Sequence, residues 1–217
     1  MYRHSALFVT LLCFSSLARA DAMFQFSVNT SGILGTAGSL DFQFNPGPLV
    51  SQPASLEILN VTTDGTFAGS PIVTGDVSGG PLPAAVTFDN LTAFNDYFEG
   101  FTFGSSLLFE VRLFGPAVNS PNGTSTSGSA FAFSMFSDLA GTLPVLTNDL
   151  TNGFAAQVNI NPDGTTAVNN FSTETTVTRV SSVPEPGSLA LIGAALAVLG
   201  ILRWRSQPGR FHGPANR

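Results

Sequence analysis

The sequence predicts an all-β protein: one antiparallel β-sandwich or jelly-roll-like domain, preceded by a short export leader and followed by an apolar transmembrane helix. Three observations lead there. Between Asp21 and Val183, apolar and polar residues alternate with period two, the period of half-buried strands. Turn residues punctuate those runs at regular spacing, as in sandwiches and jelly rolls. No window in the same stretch carries the spacing of a convincing amphipathic helix. At 163 residues, this stretch is long enough for one domain with a real core.

Residues 1–20 read as a signal peptide. Arg3 supplies the positive n-region, Ser5–Leu17 the apolar h-region, and Ala18-Arg19-Ala20 an A-x-A cleavage site for signal peptidase. Ala20 and Ala22 repeat the spacing and offer a second site. The single cysteine, Cys13, lies inside this leader with Leu12 before it, where a lipoprotein would need a small residue. The mature chain is therefore expected to be exported and free of cysteine.

The β domain is expected over residues 21–180. Phe24, Phe26 and Val28 alternate with Gln25, Ser27 and Asn29, and Leu40, Phe42 and Phe44 with Ser39, Asp41 and Gln43. Val86 and Phe88 flank Thr87. Phe109, Val111 and Leu113 face one way, with Glu110 and Arg112 on the other face as an expected exposed pair. Phe131, Phe133 and Met135 alternate with Ala130, Ala132 and Ser134, and Thr176, Thr178 and Val180 with Val177 and Arg179. Between the runs stand Asn45-Pro46-Gly47-Pro48, Asp64-Gly65, Gly79-Gly80-Pro81, Pro121-Asn122-Gly123 and Asn161-Pro162-Asp163-Gly164. The last predicts a hairpin joining Gln157–Ile160 to Thr165–Asn169, because proline presets the turn and glycine accepts a positive φ. Ser120–Ser129 is a low-complexity stretch expected as an exposed loop. Seventeen phenylalanines lie in the domain and are expected to pack between the sheets.

Composition excludes several functions. The stretch from Asp21 to Val183 carries thirteen acids against two arginines, a net of −11, and the chain has no lysine. Such a surface repels nucleic acid and anionic lipid, so neither is expected as a partner of the domain. Histidine is absent there too, since His4 and His212 lie outside it. Without His, Cys or Lys, the serine triad, cysteine nucleophiles, Schiff-base lysines and nitrogen- or sulfur-ligated zinc are unavailable. A glycosidase needs only two carboxylates, but such enzymes hold sugars on aromatic platforms, and the domain has no Trp and one Tyr, Tyr97. The domain is therefore expected to be non-enzymatic, with no cofactor.

Two finer patterns name candidate sites. Asp89, Asn95, Asp96 and Glu99 gather oxygen donors within eleven residues, as a calcium site would, although no EF-hand spacing is present and acids at turns are usually just solvated. Asn29, Asn60, Asn90, Asn122 and Asn170 each begin an N-x-S/T sequon, the candidate glycosylation acceptors. Chance alone yields such matches in a chain rich in Ser, Thr and Asn.

After a short linker at residues 181–183, the chain changes character. Pro184-Glu185-Pro186 is a stiff, extended tripeptide, because each proline fixes its own φ and disfavours helix in the residue before it. Ser188–Leu202 is uncharged and apolar, and Arg203-Trp204-Arg205 closes it with two fixed charges and an interfacial aromatic. That order is a stop-transfer anchor whose arginines stay cytoplasmic, with residues 206–217 as a cytoplasmic tail. Fifteen helical residues rise about 22 Å against a hydrocarbon core of about 30 Å, so the span is short.

A Pro-Glu-Pro motif, an apolar run and an arginine cluster in this order resemble the PEP-CTERM protein-sorting signal over residues 184–205, about a tenth of the chain. The resemblance implies recognition by an exosortase, a membrane transpeptidase-like protease of Gram-negative bacteria that make extracellular polysaccharide. It gives Pro184, Glu185 and Pro186 the role of sorting motif, and Arg203 and Arg205 that of membrane-anchor cap. Family members usually stop soon after the arginines, whereas Ser206–Arg217 continues here. Two functional expectations follow. The first is an exported, non-enzymatic protein, anchored in the inner membrane as a precursor and then held at the cell surface or in the exopolysaccharide matrix. The alternative is a secreted, lectin-like β-sandwich that binds a glycan, with calcium as its one candidate cofactor.

Overall fold

The computed structural model describes residues 20–180, together with Ala195, Val198 and Leu199. The chain divides into two units, Met1–Ser182 and Val183–Arg217. In the second, the three described residues are helical. The rest of the expected transmembrane helix at 188–202, the linker 181–183, the sorting motif, the arginine cap and leader residues 1–19 lie outside the described residues. Among the described residues no helix is long and apolar enough to cross a membrane.

The first unit is all-β. Its described residues form thirteen strands: β1 (Ala22–Asn29), β2 (Ala37–Pro46), β3 (Ser55–Thr63), β4 (Thr66–Phe67), β5 (Ile72–Thr74), β6 (Val77–Gly79), β7 (Val86–Asp89), β8 (Asp96–Thr102), β9 (Ser106–Phe114), β10 (Ser129–Phe136), β11 (Phe154–Ile160), β12 (Thr166–Asn170) and β13 (Thr175–Val180). A 3-10 turn at Ser31–Ile33 and one helical turn at Pro116–Asn119 complete it. All the strand pairs are antiparallel. One sheet runs β13-β1-β9-β3-β7-β6, and the other β12-β11-β10-β2-β8-β4, with β5 also on β8. A jelly roll would use eight strands in two Greek keys. This chain builds the two-sheet sandwich with six and seven.

The alternation explains the sandwich. Phe24, Phe26 and Val28 of β1 are buried while Ser27 and Asn29 are exposed, and Leu107, Phe109, Val111 and Leu113 of β9 do the same beside them. Phe42 and Phe44 of β2 and Phe131 and Phe133 of β10 bring the second layer. The layers meet ring on ring. Phe26 stacks on Phe109 at 4.7 Å within the first sheet, and meets Phe131 edge-on at 5.5 Å across the core. Phe109 touches Phe42 and Phe133 at 5.4 and 5.1 Å. Such edge-to-face pairs add about 0.5–1.5 kcal/mol each beyond the area they bury.

The NPDG hairpin forms as its turn residues dictate. Gly164 donates its N–H to the Asn161 carbonyl at 2.9 Å with φ 76°, and β11 pairs β12 from Ile160↔Thr166 to Ala156↔Asn170. Two long strands escape the simple pattern. Beyond Ile58, β3 carries Asn60 at φ 54° inside a register shift, which breaks its alternation. On β8 the inward face is Tyr97, Glu99 and Phe101, so an acid interrupts the apolar series.

Candidate functional site: a polar cleft on one sheet face

The outward faces of β2, β10 and β11 form two rows. Gln43 stands opposite Ala132, which stands opposite Gln157; Asn45 stands opposite Ala130, which stands opposite Asn159. Neighbouring strands are about 4.8 Å apart, so each row sets two amides roughly 10 Å apart over an alanine floor. The result is an open cleft of about 390 Å³, completed by Ser127, Asn161 and Phe154, with no charged side chain in its lining. Its rim needs glycine. Gly47 donates its N–H to the Gly128 carbonyl at 2.7 Å, and a Cβ on Gly128 would stand 1.8 Å from the Ile160 carbonyl oxygen.

Part of the lining is fixed by the protein and part is free. Gln43 Nε2 donates to Asp41 Oδ2 at 2.8 Å, and Asn45 Oδ1 accepts from the Asn95 N–H at 2.7 Å. Ser129 Oγ accepts from Asn90 Nδ2 at 2.7 Å, and Asn161 Nδ2 donates to Thr165 Oγ1 at 2.9 Å. Gln157 Oε1 accepts from Asn169 Nδ2 at 3.3 Å. The Asn159 amide, Gln157 Nε2 and Ser127 Oγ have no hydrogen-bond partner among the described residues, and all three residues line the cleft.

Beside the cleft lies a carboxyl pair. In the β2–β8 register Asp41 faces Phe98 and Gln43 faces Asp96, so Asp41 and Asp96 are diagonal neighbours on one face. Asp41 is only 9% exposed, and one carboxyl oxygen of each, Asp41 Oδ1 and Asp96 Oδ1, is buried without a hydrogen-bond partner among the described residues. Burial, then the hydrogen bond and charge of Asp96, push Asp41 up to about 8, partly offset by the Gln43 amide. Burial also raises Asp96. Two carboxyls in contact share one proton, and the pair titrates as a unit.

The structure does not bring the candidate calcium ligands together. Asp89 lies on β7 in the other sheet and accepts from Ser55 Oγ. Asn95 spends its amide on the Phe44 and Thr92 carbonyls and its oxygen on the Asp76 N–H. Glu99 points into the core, accepting from Tyr97 Oη at 2.6 Å and from the Gly69 N–H at 2.8 Å. Burial and that carboxylate raise the Tyr97 hydroxyl. Only Asp96 remains on the outer face, because residues three apart on a strand point to opposite sides. Among the described residues no cluster of three or more His, Cys, Asp or Glu could hold a metal ion.

Other candidates are placed one by one. Asn29, Asn60, Asn122 and Asn170 are exposed, while Asn90 is buried and holds the Ala54 N–H and the Gln52 carbonyl. The buried sequon is thus a loop clamp. Glu110 and Arg112 do not pair. Glu110 accepts from Asn60, and Arg112 lies 3.5 Å from both Asp21 and Glu57, with its guanidinium 4.5 Å from the Phe114 ring centre. Cross-strand neighbours outcompete the i, i+2 partner, since Glu57 is the register partner of Arg112. Ala20 begins the described domain; Ala18, Pro184, Glu185, Pro186, Arg203 and Arg205 lie outside the described residues.

Comparison with known proteins locates one feature. No curated protein and no solved structure matches the chain. The family model described as the PEP-CTERM protein-sorting motif matches residues 182–206. That match implies an exported, membrane-anchored precursor that an exosortase processes. It spans the same Pro-Glu-Pro motif, apolar run and arginines that the sequence sets in that order. The chain carries a PEP-CTERM protein-sorting motif at residues 182–206.

Proposed function

We propose that this is an exported, non-enzymatic protein of the cell surface or the exopolysaccharide matrix, delivered as a membrane-anchored precursor and processed by an exosortase. The sorting motif at residues 182–206 is the observation that carries this reading. The leader supports export through signal peptidase, and a domain without His, Cys or Lys supports the absence of catalysis. Replacing Pro184-Glu185-Pro186 by alanines tests it: uncut precursor should accumulate in the membrane fraction. Unchanged release would exclude processing by exosortase.

A second reading, glycan binding by the β domain, is favoured by one observation: the uncharged, amide-lined cleft on β2, β10 and β11. The two readings are compatible, because a matrix protein can be retained by the polysaccharide around it.

A further inference from the structure

We propose that this cleft is a metal-independent binding site for a neutral oligosaccharide, held chiefly by Asn159 and Gln157 over the Ala130–Ala132 floor. The inference rests on the glycan-binding reading above and names its site and ligand class.

Chemistry selects the ligand. An apolar molecule would leave the Asn159 amide, Gln157 Nε2 and Ser127 Oγ desolvated and unpaired, at a cost in free energy for each. An anion would meet no positive charge and would sit beside the Asp41–Asp96 pair on a domain of net −11. A neutral polyhydroxylated chain offers each free amide a donor and an acceptor together, which matches what Asn and Gln present. The alanine floor lets a flat ring approach the sheet, and Phe154 provides an aromatic surface in the lining. A volume of about 390 Å³ lies within the usual range for small-ligand sites. The lining amides whose bonds are internal, Gln43 and Asn45, anchor one wall to Asp41 and to the Asn95 backbone. One wall is therefore preorganised, and the other carries the unspent hydrogen bonds.

The test is calorimetric titration of the processed, exported protein with short gluco-, manno- and galacto-oligosaccharides, and with oligouronates as the acidic counterpart. Saturable binding of at least one neutral series is expected, unchanged by EDTA. Asn159→Ala and Gln157→Ala should each weaken it by about tenfold, the loss of one or two hydrogen bonds. Both side chains are half-exposed, so unfolding midpoints should stay at the wild-type value. Asn152→Ala, in an exposed turn, should bind as wild type. Binding of oligouronates alone, loss of binding in EDTA, wild-type affinity in both cleft variants, or no binding to any oligosaccharide would overturn the proposal. None of these outcomes touches the sorting reading, which is read from the size and location of the chain.

Discussion

Residues 182–206 and the domain before them use apolar residues in two different ways. In the tail, Ser188–Leu202 is an uncharged, apolar run that ends at Arg203 and Arg205, the composition of a segment addressed to lipid. In the domain, apolar residues come every second position, and Phe26, Phe42, Phe109, Phe131 and Phe133 meet between two sheets. An apolar run carries an address that a motif can state outright. Alternation carries a shape, and it leaves the other face of every strand free to vary. The address is therefore readable from the tail, and the role of the domain has to be sought on the faces the core does not use.

Changes that strike the core should be the most costly for the domain and should leave the address intact. Phe109→Ala removes the ring that joins Phe26, Phe42 and Phe133, and should cost about 3–5 kcal/mol in a urea titration. The exosortase-dependent cut should persist in whatever fraction folds. A loss below about 1 kcal/mol would mean that this cluster does not join the sheets.

The outer face should show itself in pH dependence. In the folded domain Asp41 keeps its proton up to about pH 8, against an ordinary value of 3.8, so between those values the folded state binds more protons than the unfolded one. Stability then falls as pH rises across that window, by up to about 1.4 kcal/mol per pH unit for one proton. Asp64 acts oppositely. The Ser105 hydroxyl and the Ser105 and Ser106 N–H groups lower it to about 2, so its contribution is present above 3.8 and is lost as pH falls toward 2. The stability maximum should lie near pH 4. Asp41→Asn, whose amide donates to Asp96 at every pH, should flatten the alkaline limb and raise stability at neutral pH. Urea midpoints that fall as steeply in this variant would remove the shared proton from the account. The smallest effect belongs to Arg112→Ala. Its contacts with Asp21 and Glu57 are part-exposed, and the loss should stay within about 1 kcal/mol.

Much of the sandwich was legible because β1, β2, β9 and β10 alternate cleanly and NPDG can only turn. What escaped has physical causes. Glu99 hides β8 because its burial depends on Tyr97 and Gly69, partners that no local pattern names. Asn60 interrupts β3 by taking a left-handed conformation. The Asp89–Glu99 cluster looked like one site because the donors are close in sequence, while pleating and two sheets send them apart. The cleft was half visible: Gln43 belonged to the polar face of β2. That Gln157 and Asn159 would stand two strands away depends on β10 lying between them, and strand order is not written in period two. The signal that could have found it is the pair of alanines, Ala130 and Ala132, on the outward face of a strand whose inward face is Phe and Met.

The measurement that reaches the central claim most directly is the intact mass of the protein recovered from the surface and medium of its native host. A mass ending near Pro184–Pro186 is predicted, with any excess reporting glycosylation at the exposed sequons. A mass running through to Arg217 would contradict exosortase processing and leave an ordinary anchored protein.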